Sequence, residues 1–224
     1  MSVPRQLALA LPHAESFERD DFLPGESNKA ALNLVERWPD WPDRAVALVG
    51  PEGAGKSHLA AIWAETAGAR RVSARALRET DLPGALATGA LVIEDATAQI
   101  DERDERALFH LLNLMRQQEA FVLLTGRAAP TQWGVQLPDL ASRLRAIPTV
   151  SLPPPDDALL RAVMVKLFAD RQLAVDEALI AYLSTRIERS FAAARAAVQD
   201  LDREALRQKR PVTRALAAEL LGQA

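Results

Sequence analysis

The 224-residue chain contains no cysteine, which removes disulfides and thiolate metal ligands from its chemistry and leaves no mark of an oxidising compartment. Histidine is nearly as scarce: His13, His58 and His110 share no metal-ligand spacing. No segment approaches the ~20 apolar residues that a bilayer crossing needs. The apolar stretch in Met1-Ser-Val-Pro-Arg-Gln-Leu-Ala-Leu-Ala-Leu-Pro12 is too short for the core of a secretory signal, so the cytoplasm is the expected location. Charge of one sign is lacking as well. With 27 Lys and Arg against 30 Asp and Glu, a net charge of −3 and a pI near 5.7, the composition argues against a protein whose main work is to hold a nucleic-acid backbone, though a local basic patch stays open. A 49% hydrophobic and 25% charged composition describes a soluble globular chain, long enough for one large domain and a small appendage.

Against that background one segment stands out. Gly50-Pro-Glu-Gly-Ala-Gly-Lys-Ser57 fits the phosphate-loop template G-x-x-x-x-G-K-[ST], and the apolar run Ala45-Val-Ala-Leu-Val49 leads into it as a buried strand would. Backbone N–H groups from Gly53, Ala54 and Gly55 through His58 can converge on phosphates only where the turn lacks bulky Cβ groups, and the helix that follows adds its N-terminal dipole. Lys56 is expected on the β- and γ-phosphates, and the Ser57 hydroxyl on Mg²⁺. A glycine turn with a solvated lysine is the plainer reading, but it leaves four matched positions in the right context unexplained.

Strand and helix signals alternate around this loop. Prolines at 4 and 12 bracket an extended tail over residues 1–16, in which Leu7, Leu9 and Leu11 recur with a period of two. Ser27-Asn28 can cap a helix that runs to about Arg37 and is ended by Trp38-Pro-Asp-Trp-Pro42. A helix is expected over 56–67, strands near 71–74 and 91–93, an amphipathic helix over 102–118, and further strands over 120–125 and 149–152. This α/β pattern predicts a mostly parallel sheet with helices on both faces, over residues 17–153. Pro153-Pro-Pro155 reads as a hinge. Beyond it come only helical periodicities, near 156–170, 176–187, 190–208 and 212–221, so a small helical domain over 154–224 is expected.

Leu91-Val-Ile-Glu94-Asp95 is an apolar strand ending in two carboxylates, and such a strand end is expected beside the loop. One acid would meet Mg²⁺ and the other polarise an attacking water, although a solvated strand end capping the next turn has the same composition. Thr125, closing the next strand, is either a γ-phosphate or water contact or an ordinary strand residue. Arg143, on a short helix in Leu137-Pro-Asp-Leu-Ala-Ser-Arg143-Leu-Arg145, is either a surface cation or a guanidinium presented to a neighbouring subunit's γ-phosphate.

Together these features resemble the AAA+ ATPase family. The segment Phe17-Glu-Arg-Asp-Asp21-Phe22-Leu-Pro-Gly25-Glu-Ser-Asn28 looks like the stretch that lines the adenine pocket in DnaA-type initiators, and Leu137-Pro-Asp-Leu-Ala-Ser-Arg-Leu144 is similar to the arginine-finger stretch of their Hda-type regulators. The resemblance spans about residues 17–221. It implies an AAA+ core with a helical lid, ADP or ATP with Mg²⁺, and Phe22, Gly25 and Asn28 near the nucleotide. It also implies a lid arginine reaching the phosphates, for which Arg189 and Arg195 both offer themselves and Arg189 is taken. Gln6-Leu7-Ala8-Leu9-Ala10-Leu11 looks like the short peptide by which Hda-type proteins dock on the DNA sliding clamp, with Gln6 as hydrogen-bonding handle and the leucines as anchors. The sequence ends soon after the lid-like helices, without the origin-binding helix-turn-helix of the initiators. The resemblance therefore implies a bacterial regulator that meets DNA through the clamp and presents Arg143 to ATP-bound DnaA, with possible self-association and weak hydrolysis of its own. A loader-like or initiator-like autonomous ATPase shares every nucleotide residue. A small-molecule kinase would instead need a lid inserted within the sheet domain.

Overall fold

The computed structural model describes residues 17–96 and 101–222. The chain forms two compact units, Phe17–Pro154 and the residues from Pro155 onward.

The first unit is built on a five-stranded parallel sheet in the order β2-β3-β4-β1-β5. Its elements, in chain order, are α1 (Lys29–Glu36), β1 (Ala45–Val49), α2 (Lys56–Ala67), β2 (Arg70–Ser73), α3 (Leu82–Ala85), β3 (Ala90–Ala96), α4 (Glu102–Gln117), β4 (Phe121–Gly126), α5 (Pro138–Ala146) and β5 (Thr149–Ser151). Parallel neighbours need crossovers, and the crossover helices bury both faces of the central strands. This is why all five residues of β1 are buried. Alternation then sorts the side chains. Val46, Leu48, Val92 and Leu123 pack with Leu32, Leu59, Ile62 and Trp63 of α1 and α2. Ala45, Ala47, Val49, Leu91 and Ile93 pack with Leu108, Leu111 and Met115 of α4 and Leu140 and Leu144 of α5. Each fully buried Leu or Ile contributes about 1.5–3 kcal/mol.

The Trp38–Pro42 stretch ends α1 by docking rather than by breaking alone. Trp41 stacks on the fully buried Trp63 with ring centroids 4.7 Å apart, and its indole N–H donates to the Leu34 carbonyl at 2.7 Å. Asn28 holds the N-cap position of α1, but its side chain does not cap the helix; the amide is used elsewhere, as described below.

The second unit consists of α6 (Asp157–Asp170), α7 (Glu177–Ser184), α8 (Phe191–Gln208) and α9 (Arg214–Leu221). Each begins at a polar cap whose oxygen accepts a backbone N–H three residues on: Asp156 from Leu159, Asp176 from Leu179, Ser190 from Ala193 and Thr213 from Leu216. Leu160, Met164, Phe168, Leu183, Val198, Leu201 and Leu216 form its core. Among the described residues, no helix is long and apolar enough to cross a membrane.

Candidate nucleotide site

The loop between β1 and α2 leaves the sheet through a gap that admits no side chain. A Cβ on Gly50 would lie 2.0 Å from the Leu152 carbonyl oxygen. The Gly50 N–H donates to the Gly126 carbonyl at 3.1 Å, and Leu152 N–H to Val49 at 2.7 Å, so the loop is pinned to strands on both sides. Gly53 and Gly55 then take left-handed φ values of 72° and 100°, which carry the chain over Ala54 into the helix. The N-terminus of α2 has no side-chain cap and no acid in its first turn. In contrast, α4 on the other face is closed by a reciprocal Asp101–Asp104 capping box. Helix α2 therefore opens on a glycine that offers its first N–H groups no capping side chain, and it presents a positive dipole end, as an anion site requires.

Lys56, only 9% exposed, folds back so that Nζ donates to the carbonyls of Gly50 at 2.8 Å and Pro51 at 2.7 Å. Burial lowers its pKa, opposed by the Asp95 carboxylate; Arg127 lowers it further and Glu52 raises it. Ser57 is exposed on the first helical turn. No group of three or more His, Asp or Glu that could hold a metal occurs among the described residues. The donors present thus fit a polyphosphate, beside which Ser57 could take part in holding a divalent cation.

The strand order separates β3 from the loop strand: β4 lies between them, so Glu94 and Asp95 are one strand removed from β1 rather than adjacent to it. Thr125, 1% exposed, fills the intervening position, and its hydroxyl accepts the Asp95 N–H at 3.3 Å. Asp95 takes a left-handed φ of 57°, which turns it out of the strand and leaves it exposed, close enough to act electrostatically on Lys56. Glu94 instead meets Arg71 of β2, whose Nε and Nη2 approach Oε1 at 2.8 and 2.7 Å. Arg127, just after β4, forms an ion pair with Glu52 of the loop. Sequence reasoning missed Arg127 and Arg71; Arg127 was findable as the residue two beyond Thr125, whereas Arg71 on an edge strand carries no signal of its own.

Phe22, Gly25, Asn28 and His58 are brought together. The Asn28 side chain is 3% exposed; its Oδ1 accepts the Gly25 N–H at 2.8 Å and its Nδ2 donates to Leu23 at 2.9 Å, closing the Leu23–Asn28 turn. Phe22 and Phe17 both set ring edges against His58, with centroids 5.2 and 5.4 Å away, and His58 Nε2 donates to the Glu18 carbonyl at 2.9 Å. The segment before α1 is thereby fastened to the first turn of α2, next to the loop.

Arg143 lies elsewhere. Its guanidinium sits 4.6 Å over the Phe109 ring, half-buried, and Nη1 has no hydrogen-bond partner among the described residues. It shares a small cleft with Asp43 and Ala45, which precede and begin β1, with Ile147 just before β5, and with Leu112 of α4. That is the opposite end of β1 from Gly50. Arg189 belongs to the second unit, where it forms an ion pair with Asp157. Gln6, Leu7, Leu9 and Leu11 lie outside the described residues.

No family model matches the chain. Solved structures do. Domain III of the replication initiation protein DnaA from Thermotoga maritima matches with a TM-score of 0.75 at 17% identity, over 95% of this chain and 98% of that one. AMPPCP-bound DnaA from Aquifex aeolicus matches with a TM-score of 0.67 at 18% identity, over 83% of this chain and 64% of that one. The Thermotoga maritima RuvB Holliday junction branch migration motor matches with a TM-score of 0.70 at 16% identity, over 91% and 70%. The chain therefore has the AAA+ fold of DnaA domain III and RuvB, a parallel five-stranded sheet flanked by helices and followed by a helical C-terminal region.

Proposed function

We propose that this protein is an Hda-like regulator of replication initiation: an adenine-nucleotide-bound AAA+ protein that docks on the DNA sliding clamp and supplies Arg143 to promote hydrolysis of ATP held by DnaA. Lys56, the loop amides and the Phe22–Asn28 segment would hold ADP or ATP. Ser57 and Asp95 would share Mg²⁺, which when bound would neutralise charge on the phosphates. The nucleotide carried by the AMPPCP-bound DnaA structure supports the choice of adenine.

The observation that carries the reading is where Arg143 sits. It lies at the start of β1, and the phosphate loop of its own unit lies at the end; the five residues between, at about 3.3 Å each, exceed the reach of an arginine. A phosphate met by Arg143 must belong to another molecule. A delocalised fork delivered in trans stabilises transferring phosphoryl oxygens and accelerates transfer by roughly 10³–10⁵-fold, so intrinsic turnover is not needed for output. Gln6, Leu7, Leu9 and Leu11 would bring the protein to the clamp, and through it to DNA, in a bacterial cytoplasm.

The test is hydrolysis by purified ATP-bound DnaA mixed with this protein, ADP and clamp loaded on DNA, with and without clamp. Clamp-dependent stimulation that Arg143→Ala abolishes is the expected result. Absence of stimulation by a folded, nucleotide-bound protein would move the assignment to an autonomous loader-like or initiator-like ATPase.

A further inference from the structure

On β3, Ala90 and Val92 pack on the side of α1 and α2, so alternation carries Glu94 on that same face, the one covered by α2 with Ser57 in its first turn. Val72 packs on the opposite face, which leaves Arg71 on the face of Glu94. The pairing is specific: Nε and Nη2 of Arg71 converge on one carboxylate oxygen at 2.8 and 2.7 Å. Glu94 retains 19% side-chain exposure and Arg71 39%, whereas pairs such as Arg19–Glu36 and Arg189–Asp157 are exposed on both sides. Solvent therefore screens Arg71–Glu94 less than it screens those pairs.

The direction of the pair matters more than its strength. Strand β2 is the edge strand, on the far side of β3 from β4 and β1. Arg71 thus draws Glu94 away from Thr125 and the phosphate loop, while Asp95 is the first carboxylate felt by Lys56. A divalent cation beside Ser57 and the phosphates then meets one strand-end carboxylate instead of two.

We propose that Arg71 is a positioning residue that withholds Glu94 from the divalent cation of the nucleotide site, so that the site retains nucleotide with weak metal affinity and slow turnover. The proposal rests on the nucleotide reading given above. Two charges compete for one carboxylate, and the guanidinium, tethered on the adjacent strand, holds it without the entropy cost of capturing a free ion. Removing the tether releases Glu94 to the cation.

The test uses the full chain stripped of nucleotide, as wild type, Arg71→Met, Glu94→Gln and the double variant. Binding of a fluorescent ADP analogue in EDTA reports the nucleotide site alone; an electron paramagnetic resonance titration of the ADP complexes with Mn²⁺ reports the metal. Arg71→Met, which keeps an apolar stem, is expected to bind ADP in EDTA like wild type and Mn²⁺ about tenfold or more tightly than wild type, with the gain lost in the double variant. Mn²⁺ affinity within twofold of wild type, or a gain that survives in the double variant, would overturn the proposal. Glu94→Gln alone should leave Mn²⁺ affinity unchanged because that carboxylate is already withheld; a loss there overturns the proposal even if Arg71→Met fails to fold. Wild type that binds no ADP with or without Mn²⁺ overturns the nucleotide reading itself, and this proposal with it.

Discussion

The carboxylate of Glu105 on α4 accepts the backbone N–H of Leu137, the residue that opens α5, at 2.8 Å through Oε2, while Oε1 accepts the Gln136 N–H at 2.7 Å. The side chain is 3% exposed, so a buried charge is spent on the entry to the helix that carries Arg143. One turn further along α4, Phe109 supports the Arg143 guanidinium. The same face of α4 therefore fixes both ends of the lever.

Glu105→Ala leaves the Gln136 and Leu137 amides without their acceptor. It is expected to lower unfolding stability by about 2–3 kcal/mol in urea, with Glu105→Gln losing less because one acceptor oxygen remains. A change under about 0.5 kcal/mol in both would show that water replaces the carboxylate freely.

Arg143→Lys keeps the charge and discards the planar fork. In the clamp-dependent assay, stimulation of DnaA is expected to fall by roughly 10²-fold or more, with ADP affinity of the variant itself unchanged. Altered ADP affinity would place Arg143 in its own nucleotide site, against its position at the opposite end of β1.

Asn28→Ala removes two hydrogen bonds that close the Leu23–Asn28 turn. Adenine-nucleotide affinity should drop about tenfold while inorganic pyrophosphate, which needs only the loop, binds as before. Calorimetry with both ligands separates the contributions; equal losses would remove this turn from base recognition.

Gly50→Ala places a Cβ 2.0 Å from a backbone oxygen, which cannot move without breaking the β1–β5 pairing. Nucleotide binding should vanish and the melting temperature fall. Gly68→Ala, left-handed at φ 63° but with nothing within 4 Å, should cost only about 1 kcal/mol and leave binding intact.

Acid should loosen α4 through its cap. Asp101 accepts the backbone N–H groups of Asp104 and Arg103; the Asp104 N–H is the largest cause holding its pKa below the ordinary value, and the Arg78 charge adds to it. Because the folded pKa is the lower one, the cap's contribution is complete above the unfolded pKa, about 3.9, and is lost as pH falls through the folded value. On α8, Glu204 behaves alike, lowered to about 2 by the hydrogen bond from Arg207. Asp101→Asn, a cap without a titrating charge, is expected to flatten the acid limb of a pH-melting curve; an unchanged limb would assign it to other carboxylates.

Sequence by itself determined the alternation of strands and helices and the place of the phosphate loop. Local rules go far here: five consecutive apolar residues before a glycine turn suit a buried parallel strand, and Gly53 and Gly55 suit the left-handed turn that follows. It also singled out Phe22, Gly25 and Asn28, but as N-cap and motif letters; that the buried Asn28 amide turns back to Gly25 and Leu23 instead of capping α1 is a tertiary outcome. Tertiary structure alone decided the rest. The insertion of β4 between β3 and β1 is a matter of strand order, to which periodicity is blind, and it moved Glu94 and Asp95 one strand from the loop. Adjacent acids then parted: alternation gave Glu94 to Arg71 on the neighbouring strand, and a left-handed turn left Asp95 exposed within electrostatic reach of Lys56. Arg143 reads as a cation on a short helix in the sequence, and only packing places its guanidinium over Phe109, near the end of β1 remote from its own phosphate loop. Contacts between residues far apart in the chain depend on how layers close over the sheet, and no window of sequence contains that closure.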